Sequence, residues 1–129
     1  MSRTPSPRPT DSELAILGVL WRRGPSTVRQ VYQELNAARP TGYTTVLKLM
    51  QIMFAKGLVL REEAQRTHIY RSALPQEDTQ RQLITDLLDR AFEGSTQKLI
   101  LQALAASKAP PEELAQIRKL IDEYKGGQK

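Results

Sequence analysis

The sequence predicts a mostly α-helical protein in which three helices and a β-hairpin come first and three more helices follow. Three observations predict it. Residues 11–57 carry apolar side chains at helical spacing, interrupted by Gly24-Pro25 and by Pro40. Residues 58–71 change to two short runs of extended type, Leu58-Val59-Leu60-Arg61-Glu62 and Thr67-His68-Ile69-Tyr70-Arg71. After Pro75 the spacing returns to helical and stays so.

The first helix is expected from Thr10, an N-cap with Glu13 at capping-box spacing, to about Arg22. It is apolar on most of its circumference, which places it at the centre of a core with Trp21 as its bulkiest anchor. Gly24 and Pro25 break the chain, and Ser26 or Thr27 caps a second helix that ends near Asn36, with Val28, Val31, Tyr32 and Leu35 as its buried stripe. The loop AARPTG then leads into the third helix, residues 41–57.

That third helix has one polar stripe on an otherwise apolar cylinder. At about 100° per residue, Val46, Leu49, Met50 and Met53 fall on one side, and Thr44, Lys48, Gln51 and Ala55 on the other. The stripe has no acid. It is slim enough for a DNA major groove and offers donors to base edges and a methyl to thymine. Two short helices joined by a brief turn, the second bearing such a face, form a helix-turn-helix.

Gly57 sits just past the last turn, where a positive φ is tolerated. The two extended runs that follow, joined by Glu63-Ala64-Gln65-Arg66, form a hairpin. A hairpin directly after such a helix is the wing of a winged helix. Arg66 at its tip, with Arg61 and Arg71 on its strands, is expected to straddle a phosphate backbone.

Pro75 is read as a boundary, giving a flexible arm at residues 1–10, a winged helix at 11–75, a helical domain at 76–125 and a tail at 126–129. The helical domain has a helix from about Glu77 to Phe92 with Leu83, Ile84, Leu87, Leu88 and Ala91 on one face. A second, capped by Ser95, has Leu99, Ile100, Leu101 and Leu104. A third begins at Pro111, with Leu114, Ile117, Leu120, Ile121 and Tyr124 expected to be buried. Three short helices make too small a core to stand alone, so a second copy across a two-fold axis is the expected cover. The dimerisation residues are then Leu83, Leu87, Leu88, Leu101, Leu104, Ile117, Leu120, Ile121 and Tyr124.

Composition narrows the function. The 129 residues are 40% hydrophobic and 26% charged, as in globular proteins. The charge is uneven: residues 1–75 hold eleven basic and five acidic side chains, residues 76–129 eight and nine. The first part is built to meet a polyanion. With no cysteine and one histidine, disulfides, thiolate nucleophiles and high-affinity metal sites are not expected. Glu62-Glu63 and Glu112-Glu113 are adjacent in sequence and point apart, so neither is an acid–base couple. The expectation is no enzyme activity and no cofactor, with His68 structural or facing phosphate. The apolar run from Leu14 to Trp21 is flanked by Asp11 and Glu13 and by Arg22 and Arg23, unlike a signal peptide, and is too short to span a bilayer. A cytoplasmic protein without membrane attachment is expected.

Four segments, SELAILGVLW, GPSTVRQVYQEL, GYTTVLKLMQIMFAKGLV and HIYRSAL, resemble the BlaI/MecI/CopY family of penicillinase-repressor-type regulators. The resemblance extends over nearly all of residues 11–124. It implies a winged-helix domain, a three-helix dimerisation domain and a homodimer that represses transcription from a palindromic double-stranded DNA operator. It places Tyr43, Thr44, Thr45 and Lys48 at the start of the operator-reading helix, to which the polar stripe adds Gln51. Members that respond to β-lactams are cut at an Asn-Phe bond where this chain has Gln102-Ala103, and copper-responsive members carry a cysteine-rich tail that is missing here. A different regulatory protease, a small-molecule inducer or simple control by protein abundance is therefore the expected input. Two other readings are compatible with the residues, a winged helix that binds an acidic protein and a ligand-gated regulator of the same architecture.

Overall fold

The computed structural model describes residues 8–124; the rest of the expected arm and the tail at 126–129 lie outside the described residues. The elements run α1 (Asp11–Arg23), α2 (Val28–Ala38), α3 (Tyr43–Lys56), β1 (Val59–Glu62), β2 (Ile69–Ser72), α4 (Gln76–Ala91), α5 (Thr96–Ser107) and α6 (Pro111–Glu123). Three helices and a hairpin followed by three helices are the expected winged helix and helical segment. The chain divides into two compact units between Ile84 and Thr85, within α4.

In the first unit, local chemistry sets each helix start. Thr10 and Glu13 form a reciprocal capping box on α1, and Thr27 and Gln30 form another on α2. Thr27 is thus the cap, and Ser26 has a different task. Its backbone exchanges two hydrogen bonds with Tyr70, of 2.9 and 2.8 Å, which ties the entry to α2 to the second hairpin strand. The buried Ser26 hydroxyl donates to the Gly24 carbonyl and accepts from the Arg23 Nε. Helix α2 continues two residues past the expected Asn36, so the turn into α3 is residues 39–42. Thr41 closes that turn, its N–H donating to the Asn36 side chain and its hydroxyl to the Arg39 carbonyl.

The core is contributed by α1, α2, α3 and the hairpin: Ile16, Leu17, Val19, Leu20, Val31, Val46, Met50, Met53, Val59 and Tyr70 are all buried. Full burial of one such side chain stabilises by roughly 1.5–3 kcal/mol. Trp21 lies at the margin of this core, half-buried, and its indole N–H is shared between the Ser72 hydroxyl at 3.0 Å and the Leu74 carbonyl at 3.2 Å. Gly57 ends α3 in the left-handed region at φ 84°, and Leu58 then donates back to Met53.

The strands are shorter than the sequence suggests, Leu58 and residues 67–68 lying outside them, so the connecting loop spans residues 63–68. Register pairs Val59 with Ser72, Leu60 with Arg71, Arg61 with Tyr70 and Glu62 with Ile69. Beyond the hairpin, the first turns of α4 belong to the first unit. Thr79 is buried there, beside a cavity of about 80 Å³ shared with Leu17, Leu58 and Leu74.

In the second unit, α5 begins at the Ser95 cap and α6 at Pro111, as expected. The expected burial of the α6 stripe is not met within one chain. Leu114, Leu120, Ile121 and Tyr124 are exposed, the last two of the stripe by 56 and 70%, and Ile117 is only half-buried. Leu87 and Leu101 are exposed as well, while Leu83, Leu88 and Leu104 are half-buried. The reason is size: α5 and α6 contain no buried residue, because short helices cannot enclose their own apolar stripes.

Candidate nucleic-acid interface

Helix α3 is anchored on its apolar side by Val46, Met50 and Met53 and tied at its end by an ion pair. The Lys56 ammonium donates to Glu13 Oε2 at 2.8 Å, and Glu13 is 2% exposed. The other carboxylate oxygen accepts from the Thr10 N–H at 2.9 Å. Burial alone would raise the Glu13 pKa, but the Lys56 and Thr10 hydrogen bonds and the Lys56 charge outweigh it and hold it below the ordinary 4.5. The start of α1 and the end of α3 are thereby fixed to each other.

With that side fixed, the remaining face of α3 is exposed: Tyr43, Thr44, Thr45, Lys48, Gln51 and Ala55 are all open to solvent. Among the described residues Lys48 has no carboxylate partner. Ile52, 41% exposed, lies next to Lys48 on the same side, an apolar group that the polar-stripe pattern omits.

The hairpin arginines do not act as one set. Register puts Arg61 opposite Tyr70 and Arg71 opposite Leu60, and since successive strand residues point to opposite faces, Arg61 and Arg71 lie on opposite sides of the hairpin. The three arginines expected to straddle a phosphate backbone therefore do not share one face of the hairpin. Arg61 is also occupied: its guanidinium lies 4.0 Å from the Phe54 ring centroid and 6.0 Å from that of Tyr70, and its Nε donates to Glu63. Hydrogen bonding to Tyr70 and then to Glu63 raises its pKa further above the usual arginine value. Arg66, in the loop, is exposed and has no carboxylate partner among the described residues.

Between α2, α3 and the hairpin runs an open groove of about 490 Å³. Arg29, Tyr43, Gln51, Arg61, Arg66 and His68 contribute to its walls, and no carboxylate lines it. Arg29 was not legible as a site residue, since on a helical wheel it is one more exposed position of α2. Folding stacks it 4.9 Å from the centroid of Tyr43, which in turn meets Tyr32 edge to face at 5.6 Å. The polar stripe and this basic groove adjoin through Gln51.

A family model described as penicillinase repressor matches residues 9–123. The chain belongs to that family. It is 30% identical over 118 residues, 91% of this chain and 85% of the other, to a protein named transcriptional regulator BlaI of Mycobacterium tuberculosis. It is 20% identical over 123 residues to the penicillinase repressor of Bacillus licheniformis, covering 95% of this chain and 96% of that one. Among solved structures it is similar to the solution structure of the DNA-binding domain of the repressor BlaI, with a TM-score of 0.51 and 20% identity over 59% of this chain and 93% of that one. The structural likeness establishes the winged-helix fold of this family member. No helix of the described residues is long and apolar enough to cross a membrane, and no group of three or more metal-ligating side chains gathers among them.

Proposed function

We propose that this chain is a sequence-specific DNA-binding transcriptional repressor that acts as a homodimer on a palindromic operator. The observation that carries the reading is the exposed, acid-free face of α3, flanked by a basic groove, in a member of a repressor family. Thr44, Thr45, Lys48 and Gln51 face outward at the spacing that lets one helix side meet base edges, with Tyr43 at its start. Arg66 supplies charge toward the phosphates, and Arg71, on the other hairpin face, toward a more distant part of the backbone.

Dimerisation is supported by the uncovered apolar stripes of the second unit, which include Leu87, Leu101, Leu120, Ile121 and Tyr124. A second copy gives each stripe an apolar partner and links two reading helices, so that one binding event raises the effective concentration of the other. Release from the operator then falls to a regulatory protease or a small-molecule inducer; severing α5 between Gln102 and Ala103 would break the linked reader into weakly binding halves.

The test is selection of bound duplexes from fragmented genomic DNA by the full chain, followed by sequencing and light scattering. The expected result is a two-fold symmetric motif, with half-sites about one helical turn or a multiple apart, and a mass twice the 14.6 kDa of one chain. Recovered fragments without a shared motif, or a monomer at micromolar concentration, would overturn it.

A further inference from the structure

Resting on the DNA-binding reading, we propose that the groove between α2, α3 and the hairpin is a seat for the phosphates of one DNA strand, in which Arg29, stacked on Tyr43, and Arg66 are the anion-binding groups. Three arginines and His68 line the groove and no carboxylate does. Arg61 is already committed to Glu63 and to the Phe54 ring, so it shapes the wall and its charge is largely offset locally. Arg29 and Arg66 have no carboxylate partner among the described residues, which leaves them as the cations available to an incoming anion.

Arg29 is also held in position. Its guanidinium lies over Tyr43 at 4.9 Å, and Tyr43 is braced edge-on by Tyr32 at an interplanar angle of 79°. A guanidinium held over one ring at this distance keeps N–H groups for an anion, and two of them can bind two oxygens of one phosphate. A side chain fixed before binding loses less freedom on binding. Gln51 lines the same groove and belongs to the exposed stripe of α3, so a strand seated here brings base edges toward that stripe. Tyr43 is accordingly a positioning residue as well as a groove wall.

The experiment uses the full chain and the duplex recovered by selection, with single methylphosphonate replacements that remove one phosphate charge at a time. In the parent, at least one replacement in the strand facing the groove weakens binding several-fold; in Arg29→Ala that same replacement has no further effect. Arg29→Ala also lowers the slope of log affinity against log salt by about 0.9, the loss of one phosphate contact. Tyr43→Leu reproduces part of this loss, whereas Tyr43→Phe, which keeps the ring, retains the Arg29-dependent sensitivity. Arg29 is exposed, and an unchanged unfolding curve by Trp21 fluorescence confirms that the variant folds. The proposal is overturned if Arg29→Ala keeps the parent's salt slope, or if every methylphosphonate weakens it as much as it weakens the parent. A parent that binds no duplex sequence-specifically refutes the underlying DNA reading instead, and the seat with it.

Discussion

Replacing Lys56 by methionine should destabilise the first unit by about 2 kcal/mol, because it leaves the buried Glu13 carboxylate without its counter-ion. Breaking a fully buried pair from one side costs about 3–5 kcal/mol. Here Glu13 is 2% exposed but the Lys56 side chain is 33% exposed, so water reaches one end of the pair and screens part of the loss. The Thr10 N–H remains to hold the other oxygen. A loss of about 2 kcal/mol lowers the midpoint of thermal unfolding by about 8–16 °C for a unit of this size. Glu13→Gln, which keeps an acceptor for Thr10 and leaves Lys56 free to reach solvent, should cost less, about 1 kcal/mol.

The pH dependence gives an independent check on the same pair. Glu13 is more acidic in the folded chain than its ordinary 4.5, so its contribution is complete above that value and is lost as pH falls through the lower, folded value. The parent therefore loses stability on acidification, Glu13→Gln loses less, and the gap between the parent and Lys56→Met narrows. Trp21 is the single tryptophan and belongs to the first unit, so its fluorescence follows this unfolding directly. A Lys56→Met variant that melts with the parent near neutral pH, or a Glu13→Gln variant with the parent's full acid sensitivity, would refute the reasoning.

Other substitutions test separate parts of the molecule. Lys48→Ala and Gln51→Ala should each weaken binding to the selected operator by about 1–3 kcal/mol if each makes a good base contact, measured by fluorescence anisotropy; a Lys48→Ala variant with undiminished operator affinity excludes that residue from reading. Leu87→Asp and Leu120→Asp each place a charge on an apolar stripe and should halve the mass seen by light scattering, whereas an unaltered dimer would put the interface elsewhere. Gly57→Ala should cost about 1–2 kcal/mol in urea unfolding, since φ is 84° while an added Cβ meets nothing within 4 Å; the penalty is pure backbone strain, and its absence would mean that the turn relaxes.

Element order and the caps were legible in the residues alone, because they depend on neighbours a few positions away. Thr10 with Glu13, Gly57, Ser95 and Pro111 each satisfy or terminate local backbone groups, so their roles follow from spacing alone. The exposed stripe of α3 was legible for the same reason, since helical periodicity fixes which side chains share a face. Whatever depends on two distant segments meeting came only with folding. Ser26 became a bridge to Tyr70 across more than forty residues, which left Thr27 as the cap. Strand register, set by packing of Val59 and Tyr70 into the core, sent Arg61 and Arg71 to opposite faces, and only folding stacked Arg29 on Tyr43. The apolar stripe of α6 shows the same division: periodicity marks Leu120 and Ile121 as side chains that need cover, but a single chain of this size has no surface left to cover them.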